Sequence, residues 1–215
     1  MHKFFRFLFW TAVVIAGVVG LARATAIRWW RVPQDDVYLT ASTSPSVFAG
    51  DLILLWRLTR PSFGDLVLCP EPKRPDRIVI GRIMGESRDE VEIAGADVKV
   101  NHKRQPVETA CVPVTFAERD PGTGVEVEQP CSHEEVGGVL HKRGDLVPGS
   151  VSPRDVQTPP LADGQVWLVS DNRQYPWDSR EFGPVARDTC KETVFFRLTG
   201  KGGFFDTKSR NQFIR

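Results

Sequence analysis

Three stretches hold residue types from which a reactive or binding site can be built. The first is Ala41-Ser42-Thr43-Ser44-Pro45-Ser46-Val47-Phe48-Ala49-Gly50-Asp51, a hydroxyl-rich, small-residue segment leading into the apolar run Leu52–Trp56. A serine hydroxyl becomes a nucleophile at neutral pH only beside a base, and taken alone such a cluster reads as an ordinary loop. The second is Arg77-Ile78-Val79-Ile80-Gly81-Arg82-Ile83-Met84-Gly85-Glu86-Ser87, followed by Asp89-Glu90-Val91-Glu92-Ile93. The third is Ser170-Asp171-Asn172-Arg173-Gln174-Tyr175-Pro176-Trp177-Asp178-Ser179-Arg180-Glu181-Phe182-Gly183-Pro184-Val185. Charges this dense after an apolar strand form either a solvated surface turn or a buried polar network, and their alternation favours the network.

These pieces need a frame, and the frame reads as β. Short apolar runs at Leu52–Trp56, 66–68, 78–80, 91–93, 98–100, Gln165–Val169 and 193–196 are separated by Gly, Pro, Asp and Asn turns. Gly50-Asp51 and Gly64-Asp65 each open a strand, as in a tight turn. No segment beyond residue 30 carries a convincing helical period. Residues 102–160 differ in character, rich in Pro, Gly and charge, and read as a cap subdomain inserted into a core of residues 31–101 and 161–198. Residues 199–215 read as a loose basic tail.

The 28 basic and 27 acidic residues nearly cancel, so bulk charge gives no reason to expect nucleic acid as a partner. Cys69, Cys111, Cys131 and Cys190 lack zinc-ligand spacing, and neither a metal nor a cofactor is expected. Their even number suits one or two disulfides in an oxidising compartment, with Cys111 and Cys131 the more natural pair, but also suits free thiols in the cytosol. Residues 7–22 are uncharged, His2, Lys3 and Arg6 precede them, and Trp29-Trp30 follow Arg28 like an interfacial aromatic belt. Sixteen residues is short for a span, which lengthens if Arg23 snorkels. Residues 1–30 are therefore expected to be a membrane anchor built on one transmembrane helix that continues to Ile27; a cleavable signal peptide is the rival, since Ala22-Arg23-Ala24 and Ala24-Thr25-Ala26 resemble cleavage sites. Basic residues balance on the two flanks and leave orientation open; the cysteines favour a bulk on the exported side.

Taken together and in this order, the three stretches resemble the bacterial signal peptidase I family of membrane-anchored serine endopeptidases. Ser42 to Asp51 is similar to its serine box, with Ser42 in the nucleophile's place and Pro45 in that of its proline. Ser62-Phe63-Gly64-Asp65-Leu66-Val67-Leu68 looks like its second Gly-Asp strand box, Ile80 to Glu86 resembles the box that supplies a lysine base, and Ser170 to Gly183 resembles its terminal box. The resemblance implies a mainly β fold, an inner-membrane anchor with the bulk on the periplasmic side, and an exported preprotein or signal peptide, together with membrane lipid, as partners. It also implies a groove that reads small residues before the scissile bond.

The departures bear on activity. In that alignment the lysine position holds Gly81, which has no proton acceptor, and Arg82 stays protonated. Pro176 stands where a serine that hydrogen-bonds the lysine is usual, Ser170 replaces a glycine, and Thr43 replaces a hydrophobic residue. Asp171, Asn172, Arg173, Asp178 and Arg180, which look like a support network, are retained. The expectation is a protein that acts on or binds exported preproteins and is catalytically degenerate. The alternatives are an active endopeptidase whose base comes from Lys73, His102 or Lys103, and a scaffold with unrelated interactions.

Overall fold

In the computed structural model, which describes residues 2–214, the chain opens with helix α1, His2–Thr25. Its apolar portion, Lys3–Thr25, has 23 residues and is exposed along its length. At 1.5 Å per residue this is about 35 Å, enough to cross a hydrocarbon layer of about 30 Å. The helix stops short of the two tryptophans expected at its end, which belong instead to strand β1, Ile27–Arg31, where the Arg23 guanidinium lies 4.8 Å from the Trp29 ring centre.

After β1 comes a short helix α2, Val37–Thr43, then β2, Leu52–Trp56, β3, Leu66–Glu71, and the long β4, Arg74–Gly85. Two small strands, β5 (Val91–Ala94) and β6 (Asp97–Val100), lead through β7 (Lys103–Arg104) to β8 (Val107–Arg119), β9 (Glu126–Val136) and β10 (Val139–Gly144). The chain ends with β11 (Val156–Gln157), β12 (Gln165–Val169), a helical turn α3 (Ser179–Phe182), β13 (Val185–Ala186), β14 (Glu192–Thr199) and β15 (Gln212–Phe213). The fold is thus mainly β with one apolar helix of membrane-span length ahead of it.

The main sheet has the order β1-β2-β14-β3-β4-β12-β13, every pairing antiparallel, so α1 feeds directly into an edge of the core. Alternation in β2 buries Ile53 and Leu55 and half-exposes their neighbours, which packs Val32, Leu39, Val47 and Leu68 beneath α2. Gly50 and Gly64 take φ of +82° and +89°, and the next residue in each turn, Asp51 or Asp65, accepts a bond from the amide three residues before it. Both Gly-Asp signals therefore mark real turns into strands.

Two smaller sheets complete the molecule: β11-β5-β6-β7, and the arm β10-β9-β8, which occupies much of residues 102–160. Cys111 and Cys131 are joined across β8 and β9, and Cys69 on β3 is joined to Cys190 just before β14. The C-terminal segment, expected to be loose, returns instead to the sheet: Gln212 and Phe213 pair with Arg197 and Phe196, and Ile214 is buried in the core.

Candidate active site

Ser42 lies in the last turn of α2, where no helical pattern was legible in the sequence. Asp36 caps the helix by accepting the Leu39 amide at 3.0 Å, and the hydroxyls then turn back on their own backbone: Ser42 to the Leu39 carbonyl at 2.8 Å and Ser44 to that of Ala41 at 3.0 Å. Seven residues suffice because the cap and these local bonds replace the long apolar stripe that a free-standing helix requires. Ser42 is completely buried. The third stretch holds this loop in place, since the Asn172 amide donates to the Ser42 carbonyl at 3.1 Å and its side chain donates to the Ser44 hydroxyl at 2.9 Å.

Gly81 sits in the middle of β4 opposite Val67 of β3, and α2 packs against β4. A Cβ at this position would meet the Leu168 Cβ at 3.0 Å and the Val169 carbonyl oxygen at 3.6 Å, so the absent side chain leaves a close backbone approach rather than a void. Among the described residues no titratable side chain bonds the Ser42 hydroxyl. Lys73 lies in the β3–β4 turn, the exposed His102 is 3.5 Å from Glu90, and Lys103 belongs to β7, opposite Val100. Ser170 does not substitute either: its hydroxyl accepts the Trp177 amide at 3.1 Å.

Residue 82 faces away from residue 81, as strand alternation requires. Arg82 grips both oxygens of Asp171 at 2.9 and 2.8 Å and donates to the Gly64 carbonyl. Burial pushes the Asp171 carboxyl up, but Arg82, His141 and the Ser46 hydroxyl together hold it below the usual range. Asp178 behaves alike: against the same desolvation, the Arg180 guanidinium and the amides of Ser170 and Arg180 keep it ionised. The five expected support residues are all buried; Asp171 and Asn172 reach the serine loop through Ser46, Ser44 and the Ser42 carbonyl, whereas Arg173 turns to Glu134 and Arg180 pairs with Asp178.

Three members of this network, Glu134, His141 and Arg143, were not singled out from the sequence, and all three come from the arm. Glu134 on β9 bonds Arg173 and Arg143; against its desolvation, Arg173 first, then His141 and Arg143, bring its pKa down to about 2. His141 on β10 lies 3.4 Å from Glu134 and 3.7 Å from Asp171. Burial first, and then the charge of Arg82, lower its pKa against the opposing pull of Glu134 and Asp171. The Ser46 hydroxyl donates to the other Asp171 oxygen at 2.5 Å. The order Ser46–Asp171–His141 is not that of a charge-relay triad, in which imidazole faces the hydroxyl and carboxylate stands behind it. An Asp held ionised by a bidentate arginine is also a poor proton acceptor. No sequence signal marked these residues, because an acid and a histidine on half-polar strands look like solvated charges until a partner sheet covers them.

One further contact bears on access. Asp36, ahead of α2, makes a two-pronged ion pair with Arg77 of β4 at 2.9 and 3.2 Å, and Arg77 also stacks 4.5 Å from the Trp177 ring centre. Tyr38 packs against Trp177 at 5.3 Å. The segment carrying Ser42 is thereby clasped to the strand carrying Gly81.

Residues 5–199 match the sequence profile of the family described as signal peptidase, peptidase S26. Comparison with curated proteins gives no match. Among solved structures, the chain is similar to a signal peptidase I from Enterococcus faecalis V583, with 15% identity, a TM-score of 0.41, and coverage of 63% of this chain and 97% of that one.

Proposed function

This chain belongs to the signal peptidase family, peptidase S26, and from that premise we propose that it is a membrane-anchored module that binds signal-peptide-bearing exported chains without cleaving them. The observation that carries the reading is the state of Ser42: its hydroxyl is spent on the Leu39 carbonyl, and the neighbouring strand presents Gly81 where the base would stand. Hydroxyl and carbonyl alone offer no route for the proton that nucleophilic attack must release.

Arg82–Asp171, Asp178–Arg180 and the Asn172 bonds support a second part of the proposal. They preserve the shape of the serine loop rather than its chemistry, which is what a binding role demands. The positions of Lys73, His102 and Lys103 argue against a relocated base. We place the anchor in the inner membrane with the sheets on the periplasmic side, where the cysteine pairs would persist, and assign residues 102–160 the role of a cap over the core.

Binding is tested with the full chain in detergent micelles and a fluorescently labelled signal peptide ending in a small-x-small sequence, read by anisotropy. The expected result is saturable binding with the labelled peptide recovered intact. Absence of binding, against an unrelated apolar peptide as control, would contradict the reading.

A further inference from the structure

A cleft of about 470 Å³ opens beside the serine loop, with Val37, Thr40 and Phe48 on the core wall and Glu118, Arg119 and Glu126 on the arm. Val37 and Thr40 belong to α2, so this cleft adjoins the helix that carries Ser42.

Its charge is not settled internally. Glu118 is half-buried, and it accepts the backbone amide of Arg119 at 2.8 Å while facing the Ser44 hydroxyl. That hydroxyl's proton goes to the Ala41 carbonyl and one of its lone pairs is used by Asn172, so Ser44 offers the carboxylate little. Among the described residues neither Glu118 nor Glu126 forms an ion pair, whereas the buried Asp51, Glu134, Asp171 and Asp178 all do. Arg119 and Lys201 also line the cleft, but both stand exposed and neither is within ion-pair distance of Glu118. Burial without a cation raises the Glu118 pKa, and after burial and the charge of Asp120 its charge adds to raising that of Tyr175. A carboxylate desolvated without a counter-ion is a standing cost that an arriving cation removes.

Resting on the reading that the serine-loop region takes an extended chain, we propose that this cleft receives a lysine or arginine side chain of the bound peptide, with Glu118 as its counter-ion. The arm thereby contributes a charge requirement to a site whose serine-loop wall, near the opening, is lined by small and apolar side chains.

The test uses the full chain in detergent micelles and a set of labelled small-x-small peptides in which one lysine is moved along the sequence, each paired with its norleucine counterpart. At one register the lysine peptide is expected to bind about tenfold more tightly. Glu118→Gln should bring that peptide down to its norleucine counterpart, and Glu118→Arg should reverse the order. If norleucine peptides bind but no register prefers lysine, or the preference survives in Glu118→Gln, the assignment of Glu118 is overturned while the binding function stands. If neither series binds, both fail.

Discussion

Asp171→Ala is expected to lower the stability of the β sheets by about 3–5 kcal/mol, the range for removing one partner of a buried ion pair. Two groups lose their acceptor at once: both prongs of Arg82 and the Ser46 hydroxyl. Arg82 is only 2% exposed, so its charge is left in a dry site rather than returned to water. Against a total stability of about 5–15 kcal/mol the loss is large, and it should appear as a melting temperature lower by about 10 °C. The cost is that of a buried charge deprived of its carboxylate, so Arg82→Met with Asp171→Leu should recover most of it. Denaturation of the single and double variants in micelles checks this; equal losses in both would mean that the network contributes through shape alone.

The second large effect lies in the disulfides. Cys69 and Cys190 are 121 residues apart in sequence and Cys111 and Cys131 only 20, although both pairs staple adjoining strands. In the chain-entropy account the longer loop restricts the unfolded chain more, giving about 5 kcal/mol for the first and about 3 for the second. The Cys69→Ala/Cys190→Ala variant should therefore be the less stable in denaturant titrations, and replacing Cys111 and Cys131 by alanine should cost less. The first pair ties β3 to the start of β14, across which the main sheet closes, while the second reinforces an arm that already pairs with itself over two long strands. Equal losses would point to local packing around the sulfurs rather than to loop closure.

How much of this was legible in the sequence depends on what each residue must contact. Ile53 and Leu55 alternate with half-exposed neighbours, and Gly50-Asp51 carries its own turn chemistry, so the core strands declared themselves locally. The helix over Ser42 did not, because it is short and held by Asp36 and by hydroxyl bonds to its own backbone. The arm was equally opaque. Strand β8 exposes Val112 and Val114 together with charged residues, so it lacks the one-sided pattern by which a strand is recognised. Asp171, Asn172, Arg173, Asp178 and Arg180 stood out as a group, whereas Glu134 and His141 acquire meaning only when the arm that carries them folds against Asp171 and Arg173. Gly81 was readable as a missing side chain, but not the close approach of Leu168 that fills its place.

That close approach shapes what restoring a lysine would do. A side chain at residue 81 needs Leu168 to give by a few tenths of an ångström, and Pro176 and Ser170 leave its ammonium without the usual hydrogen-bond partner. Gly81→Lys alone is therefore not expected to create a working base.

The central claim is that Ser42 has lost its means of activation, and the direct measurement is cleavage of a preprotein bearing a small-x-small site by the natural full chain and by Ser42→Ala, followed by electrophoresis and mass spectrometry of the products. The account predicts no cleavage above background in either protein. Cleavage after the small residue by the natural chain, abolished in Ser42→Ala, would contradict it.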